Sequence, residues 1–262
     1  MDWFFALSPV MQGLLSTLFT YLVTAAGAGL VFCFKEVKRK PLDVMMGFAA
    51  GVMIAASFWS LLNPAIELSA QLGHNAWLTA AVGFASGGLW CVLADLLLSR
   101  CRFIRCSKSG LKRSLLLTAA ITMHNIPEGL AVGVAFGCAA RGWGGTDPVG
   151  ALMLAVGIGL QNFPEGLCAA IPLRQMGESR CKCFMVGQSS ALVEPIAGVI
   201  GVIAALKVQQ LLPFALTFSA GAMIAVVCSE LIPESFRDSK TLATLGVLLG
   251  FVVMMVLDVA LG

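Results

Sequence analysis

The sequence predicts an all-α integral membrane protein of eight transmembrane helices, and three observations carry that prediction. Apolar residues make up 58% of the 262 positions and charged residues only 12%, about half the charged share of an ordinary soluble domain. Apolar runs of roughly 20 residues recur along the chain, the length a helix needs to cross a hydrocarbon core about 30 Å thick. The basic residues gather in alternate connections between those runs.

Apolar length and polar breaks place the eight spans near 9–34, 41–62, 76–98, 114–138, 148–173, 183–206, 211–233 and 241–261. The first has no basic stretch before it and is long enough for a full crossing, so it reads as a retained helix and not a cleaved leader. No connection is long enough for a second domain, so residues 1–262 read as one transmembrane domain. The odd-numbered connections hold fifteen Lys and Arg, against Arg141 and Lys207 in the even-numbered ones. By the positive-inside tendency the odd connections face the cytoplasm and both termini lie outside.

The net charge of +3 resides in those cytoplasmic connections, chiefly RCRFIRCSKSGLKR at 100–113. Orientation and anionic lipid headgroups account for it, which makes the bilayer the partner and excludes nucleic acid. Cys101, Cys106, Cys181 and Cys183 fall on the same side, where thiols stay reduced. Cys33, Cys91, Cys138, Cys168 and Cys228 lie in or beside apolar runs and read as small packing residues.

Two segments break the apolar pattern in the same way, ITMHNIPEGL at 121–130 and IGLQNFPEGL at 158–167. Ionisable groups at membrane depth are costly and usually serve an ion or proton path. His124 and Glu128 are four apart, as are Gln161 and Glu165, so each pair stacks on one helix face within reach of a shared ion. Asn125 and Asn162 sit about 100° further round, each still able to approach the same glutamate. Pro127 and Pro164 deprive the carbonyls of Met123 and Leu160 of a donor, so both helices are expected to kink and bare a carbonyl. Gly129 and Gly166 permit close helix approach. The repeat makes the fourth and fifth spans pseudo-symmetric partners. The plainer alternative is that these polar groups only bond helices together.

Further candidates lie on other spans. Glu194, followed by Pro195, offers a third carboxylate. Met53 and Ser60 are seven apart on one face of the second span and could offer a thioether and a hydroxyl, although spacing alone favours packing and bonding within the helix over a ligand role. NPAIE with Glu67 and SELIPE with Glu230 and Glu234 read as two similar acidic helix ends on the outward side, an entrance that attracts cations. Asp43 and Asp95 lie near the cytoplasmic ends of the second and third spans, where they would form an exit. Imidazole with carboxylates suits Zn²⁺, and also Cd²⁺, Fe²⁺, Mn²⁺ or Co²⁺, whereas Mg²⁺ and Ca²⁺ prefer all-oxygen shells. Nothing in the sequence asks for an organic cofactor.

At HNIPEG and QNFPEG the chain closely resembles the ZIP (Zrt-, Irt-like protein) family of divalent metal transporters, and its short loops with NPAIE and SELIPES resemble the GufA branch. The resemblance implies a single transporter domain in the plasma or inner membrane, carrying zinc towards the cytoplasm. It also implies a binuclear centre. Met53, His124, Glu128, Gln161 and Glu165 would form the first position, with Ser60 near the entrance. Asn125, Glu128, Asn162, Glu165 and Glu194 would form the second. Elevator-like movement of spans one, four, five and six against two, three, seven and eight is implied too, as is a homodimer. The competing reading is an intramembrane zinc hydrolase built on His124, Glu128 and Glu165. It lacks an H-E-x-x-H motif, and a symmetric pair of helices suits passage better than a fixed reaction site.

Overall fold

The computed structural model describes residues 2–33, 39–100, 109–143, 147–175 and 177–261, and among them every regular element is helical. Eight long helical units follow one another. They are α1 (Pro9–Phe32), α2 (Lys40–Gln71), α3 (Ala76–Arg100), α4 (Ser109–Ala139), α5 (Pro148–Gln175), α6 (Arg180–Lys207), α7 (Leu212–Ser235) and α8 (Lys240–Leu261). All except α4 are, among the described residues, long and apolar enough to cross a membrane. The hydrocarbon solvent leaves the backbone no partner but itself, which is why apolar runs of this length become helices.

Several boundaries differ from the sequence reading. α2 does not end at Leu62. It passes through a π-helical stretch, Ser57–Leu62, and continues as Asn63–Gln71 with Pro64 in its first turn, where a missing N–H costs nothing. α7 and α8 contain π-helical stretches as well, Val227–Leu231 and Leu257–Leu261. Conversely, α4 and α5 continue as helix through Pro127 and Pro164. The interrupted helix is α6, which stops at Ser189 and resumes at Val193.

The helices pack in two groups. α1 lies on α5, α4 on α6 and α6 on α1; α2 lies on α8 and α3 on α7. Within a group, backbones approach closely: a Cβ at Gly51 of α2 would stand 2.0 Å from the carbonyl oxygen of Val247 in α8. Such contact replaces the hydrophobic drive that lipid cannot supply. Between the groups α2 meets α5 and α4 meets α7. Side chains make part of the α2–α5 contact, with Cys168 Sγ 3.0 Å from Met46 Sδ. The most buried of the seven spans is α5, whereas α3 and α8 turn most of their surface outward. Gln161, Asn162 and Glu165 of the polar cluster therefore lie on the span farthest from lipid. Cys91, Cys138 and Cys168 are buried as expected of packing residues, but Cys33 and Cys228 are exposed.

Candidate metal centre

Glu128, Gln161 and Glu194 are fully buried, Asn125 and Asn162 are 1% exposed and Glu165 is 5% exposed. Such groups survive in an apolar interior only with partners, and here some partners are supplied and others are missing. Gln161 Nε2 donates to Glu128 Oε1 at 2.7 Å. Asn162 Nδ2 donates to both oxygens of Glu194, at 2.9 and 3.0 Å, and the Thr20 hydroxyl donates to Glu194 Oε2. Asn125 Nδ2 donates to the Ser190 carbonyl at 2.9 Å, covering a backbone group freed by the break in α6. Glu165 is within electrostatic reach of Glu128 and Glu194.

After these bonds four oxygens are left without a hydrogen-bond partner: Asn125 Oδ1, Glu128 Oε2, Gln161 Oε1 and Glu165 Oε1. All four come from the two matched motifs. Buried acceptors without donors are costly, and a cation is the chemical complement of several of them together. Among the described residues no three His, Cys, Asp or Glu side chains form a ready metal cage. Two carboxylates with amide oxygens compose the described cluster instead. The side chain of His124 lies outside the described residues.

Local packing explains why the motifs meet here. A Cβ at Gly129 would lie 2.5 Å from the Glu194 carbonyl oxygen, and one at Gly166 would lie 2.0 Å from that of Thr24. The expected close approach is thus present, but towards different neighbours: α4 closes on α6, and α5 closes on α1. Met53 is fully buried on α2. It stands two turns, about 10 Å, beyond Met46 on the same face. α8 runs parallel to α2, with Gly47 against Ala243 and Gly51 against Val247, and α5 runs antiparallel to both, with Gly157 against Met254 of α8 at one end and Cys168 against Met46 of α2 at the other. Met53 accordingly comes level with Gln161.

The outlying acids divide differently from the sequence reading. Ser60 donates to Asp258 Oδ1 at 2.5 Å, joining the π-helical stretches of α2 and α8, and Asp258 Oδ2 is buried without a partner. Glu67 is exposed nearby on the extension of α2, taking a bond from Asn63 Nδ2 at 3.2 Å. Glu230 and Glu234 are not at this end. Asp43, near the start of α2, accepts from the backbone N–H groups of Asp238 and Ser239, just after Glu234. Asp43 and Glu67 are 24 residues apart on one helical unit, roughly 36 Å. Glu234 pairs with Arg237 at 3.0 Å, and Glu230 lies within reach of Asp95 and Glu234. The single acidic entrance is therefore corrected: α7 runs opposite to α2, so the two acidic ends lie on opposite sides. Asp43 is fully buried and anchors the turn into α8.

Two participants were not singled out in the sequence. Thr20 belongs to a buried polar stripe of α1 with Gln12, Ser16, Thr17 and Thr24, and its helical spacing was the available signal. Asp258, alone in the apolar end of α8, was the other. Ser60, Glu230 and Asp258 each lie in one of the three π-helical stretches among the described residues, a local geometry that recurs at functional sites.

Comparison with known proteins identifies the family of the chain. The family model described as ZIP zinc transporter matches residues 106–258. The chain is 41% identical to zinc transporter ZIP11 of Xenopus tropicalis, over 97% of this chain and 98% of that protein. It is 36% identical to zinc transporter GufA of Myxococcus xanthus, over 95% and 99%, and 34% identical to zinc transporter ZIPB of Bordetella bronchiseptica, over 92% and 79%. These relatives are named as transporters and none as an enzyme, which leaves the hydrolase reading without support. Helices of this kind in a chain so related make a multi-pass integral membrane protein, and the chain belongs to the ZIP zinc transporter family.

Proposed function

We propose that this protein carries Zn²⁺ across the plasma or inner membrane towards the cytoplasm, a finer reading of the metal-ion transport that its family membership establishes. The observation that carries it is the set of four open oxygens on Asn125, Glu128, Gln161 and Glu165, buried between two helices of matched sequence. In this reading α4 is the eighth crossing, and both termini lie outside. The ion is cargo, and its donors are two carboxylates with carboxamide oxygens, completed by Met53 and His124. Imidazole and thioether favour Zn²⁺ and tolerate Cd²⁺, Fe²⁺, Mn²⁺ and Co²⁺ over hard ions.

A second ion position adjoins the first on the side of Asn125, Asn162 and Glu194, with Glu128 and Glu165 shared between them. If all three glutamates ionise, their charge of about −3 becomes about −1 with one divalent ion and about +1 with two, so either occupancy is electrostatically tolerable. Ser60 and Asp258 stand at the outward end of the path, and Asp95 with Glu230 at the cytoplasmic end. The division into two packed groups supports alternating access, with α1, α4, α5 and α6 moving as a block against α2, α3, α7 and α8. The transport unit in this reading is the single chain, and a homodimer would join two such units.

The test is zinc flux into proteoliposomes. The expected result is saturable uptake above protein-free vesicles that is lost in Glu128→Ala combined with Glu165→Ala. Uptake unchanged in that double variant would sink the reading.

A further inference from the structure

Glu194 differs from the other two buried glutamates in one respect: neither of its oxygens is open. Oε1 accepts from Asn162 Nδ2, and Oε2 accepts from Asn162 Nδ2 and from the Thr20 hydroxyl. Glu128 and Glu165 each keep an oxygen without a partner. A carboxylate saturated with neutral donors has less charge density to offer a cation, and must shed a hydrogen bond before it can coordinate one. From this contrast we infer that Thr20 is a positioning residue which competes with the second ion position for the Glu194 carboxylate, so that Glu194 reaches an ion there only after the hydroxyl lets go. The inference rests on the zinc-transport reading of the same site and deepens it.

The placement of Thr20 is rigid. Its side chain is fully buried. One turn before it, the Thr17 side chain fills the space a Cβ on Gly198 would occupy, with Cγ2 at 2.6 Å; one turn after it, the Thr24 carbonyl lies against Gly166. α1 is thereby clamped on α6 and α5 on either side of Thr20. The hydroxyl also stands 2.9 Å from the Thr17 carbonyl oxygen. It therefore has an alternative acceptor within its own helix, and releasing Glu194 need not leave its proton without a partner. Asn162 completes the arrangement as a donor. An aspartate at 162 could not fill that role in its ionised form, so the clamp depends on the carboxamide in this chain.

Thr20→Val keeps the shape and removes the hydroxyl, and Thr20→Ser keeps the hydroxyl. Zn²⁺ titration of the purified full chain in lipid nanodiscs, with thermal unfolding in chelator beside it, separates positioning from simple packing. Thr20→Val is expected to bind Zn²⁺ on the order of tenfold more tightly than Thr20→Ser, the scale of one hydrogen bond to a charged group. Thr20→Ser is expected to follow the parent. Equal zinc curves for the two variants, even with Thr20→Val less stable in chelator, would overturn the inference and leave Thr20 a structural contact. Weaker binding in Thr20→Val would overturn it in the other direction, by making the hydroxyl a ligand. If Thr20→Val does not assemble, Thr20→Ala takes its place with the same expectations. A parent that shows no saturable Zn²⁺ binding would count against the transport reading itself, which keeps the two failures apart.

Discussion

The two motif helices share a pattern, N-x-P-E-G-L, yet their polar groups are used differently. On α4 the Asn125 amide covers the Ser190 carbonyl at the break in α6, so its donor is spent on backbone and its oxygen stays open. On α5 the Asn162 amide is spent on the Glu194 carboxylate. The glycines diverge in parallel, Gly129 closing on α6 and Gly166 on α1. A sequence repeat fixes where side chains leave the helix; the neighbouring helix decides whether each becomes a ligand, a clamp or a patch for broken backbone.

The largest effect expected from breaking this pairing is on flux. Removing both glutamates takes away the open carboxylate of each half, so zinc uptake should fall to the level of protein-free vesicles. Next comes packing. Gly166→Ala forces a methyl against the Thr24 backbone, and Gly129→Ala does the same against Glu194; each should cost about 1–3 kcal/mol in unfolding, the usual range for overpacking. Gly166→Ala should cost the more, because its contact is closer. Equal and negligible losses would mean that the helices do not meet as described.

Asn125→Ala should leave the Ser190 carbonyl buried without a partner and cost about 1–3 kcal/mol in chelator. Asn162→Ala instead takes two hydrogen bonds from a carboxylate and leaves no Ser190 carbonyl bare, so a different balance of stability in chelator and zinc affinity in the two variants would sharpen the contrast between the halves. The smallest effect lies farthest from the motifs. Asp43→Ala removes the acceptor for two backbone N–H groups, a change comparable to losing a helix cap, about 0.5–2 kcal/mol. Its half-saturating zinc concentration should not move; a shift there would return Asp43 to the exit path.

Much of the centre was legible in the sequence because membrane depth makes polarity conspicuous. Asn125, Glu128, Gln161, Asn162, Glu165 and Glu194 all stand out in apolar runs, and all are buried in the structure. Thr20 did not stand out, since a threonine can bond its own helix anywhere, and its partner lies 174 residues away. The break in α6 was hidden for a related reason: the sequence marks prolines, but the helix parts at Ser190–Leu192, ahead of Pro195. The acidic ends were misjudged because NPAIE and SELIPE look alike locally. Their sides depend on the opposite directions of α2 and α7, which the Asp43 bonds to Asp238 and Ser239 make visible.

Crystals soaked in Zn²⁺ and measured at the zinc absorption edge test the central claim most directly. The account predicts an anomalous peak among Glu128, Gln161 and Glu165, on the side where their open oxygens lie. Ordered density for these side chains with no peak between them, at zinc concentrations that saturate uptake, would contradict it.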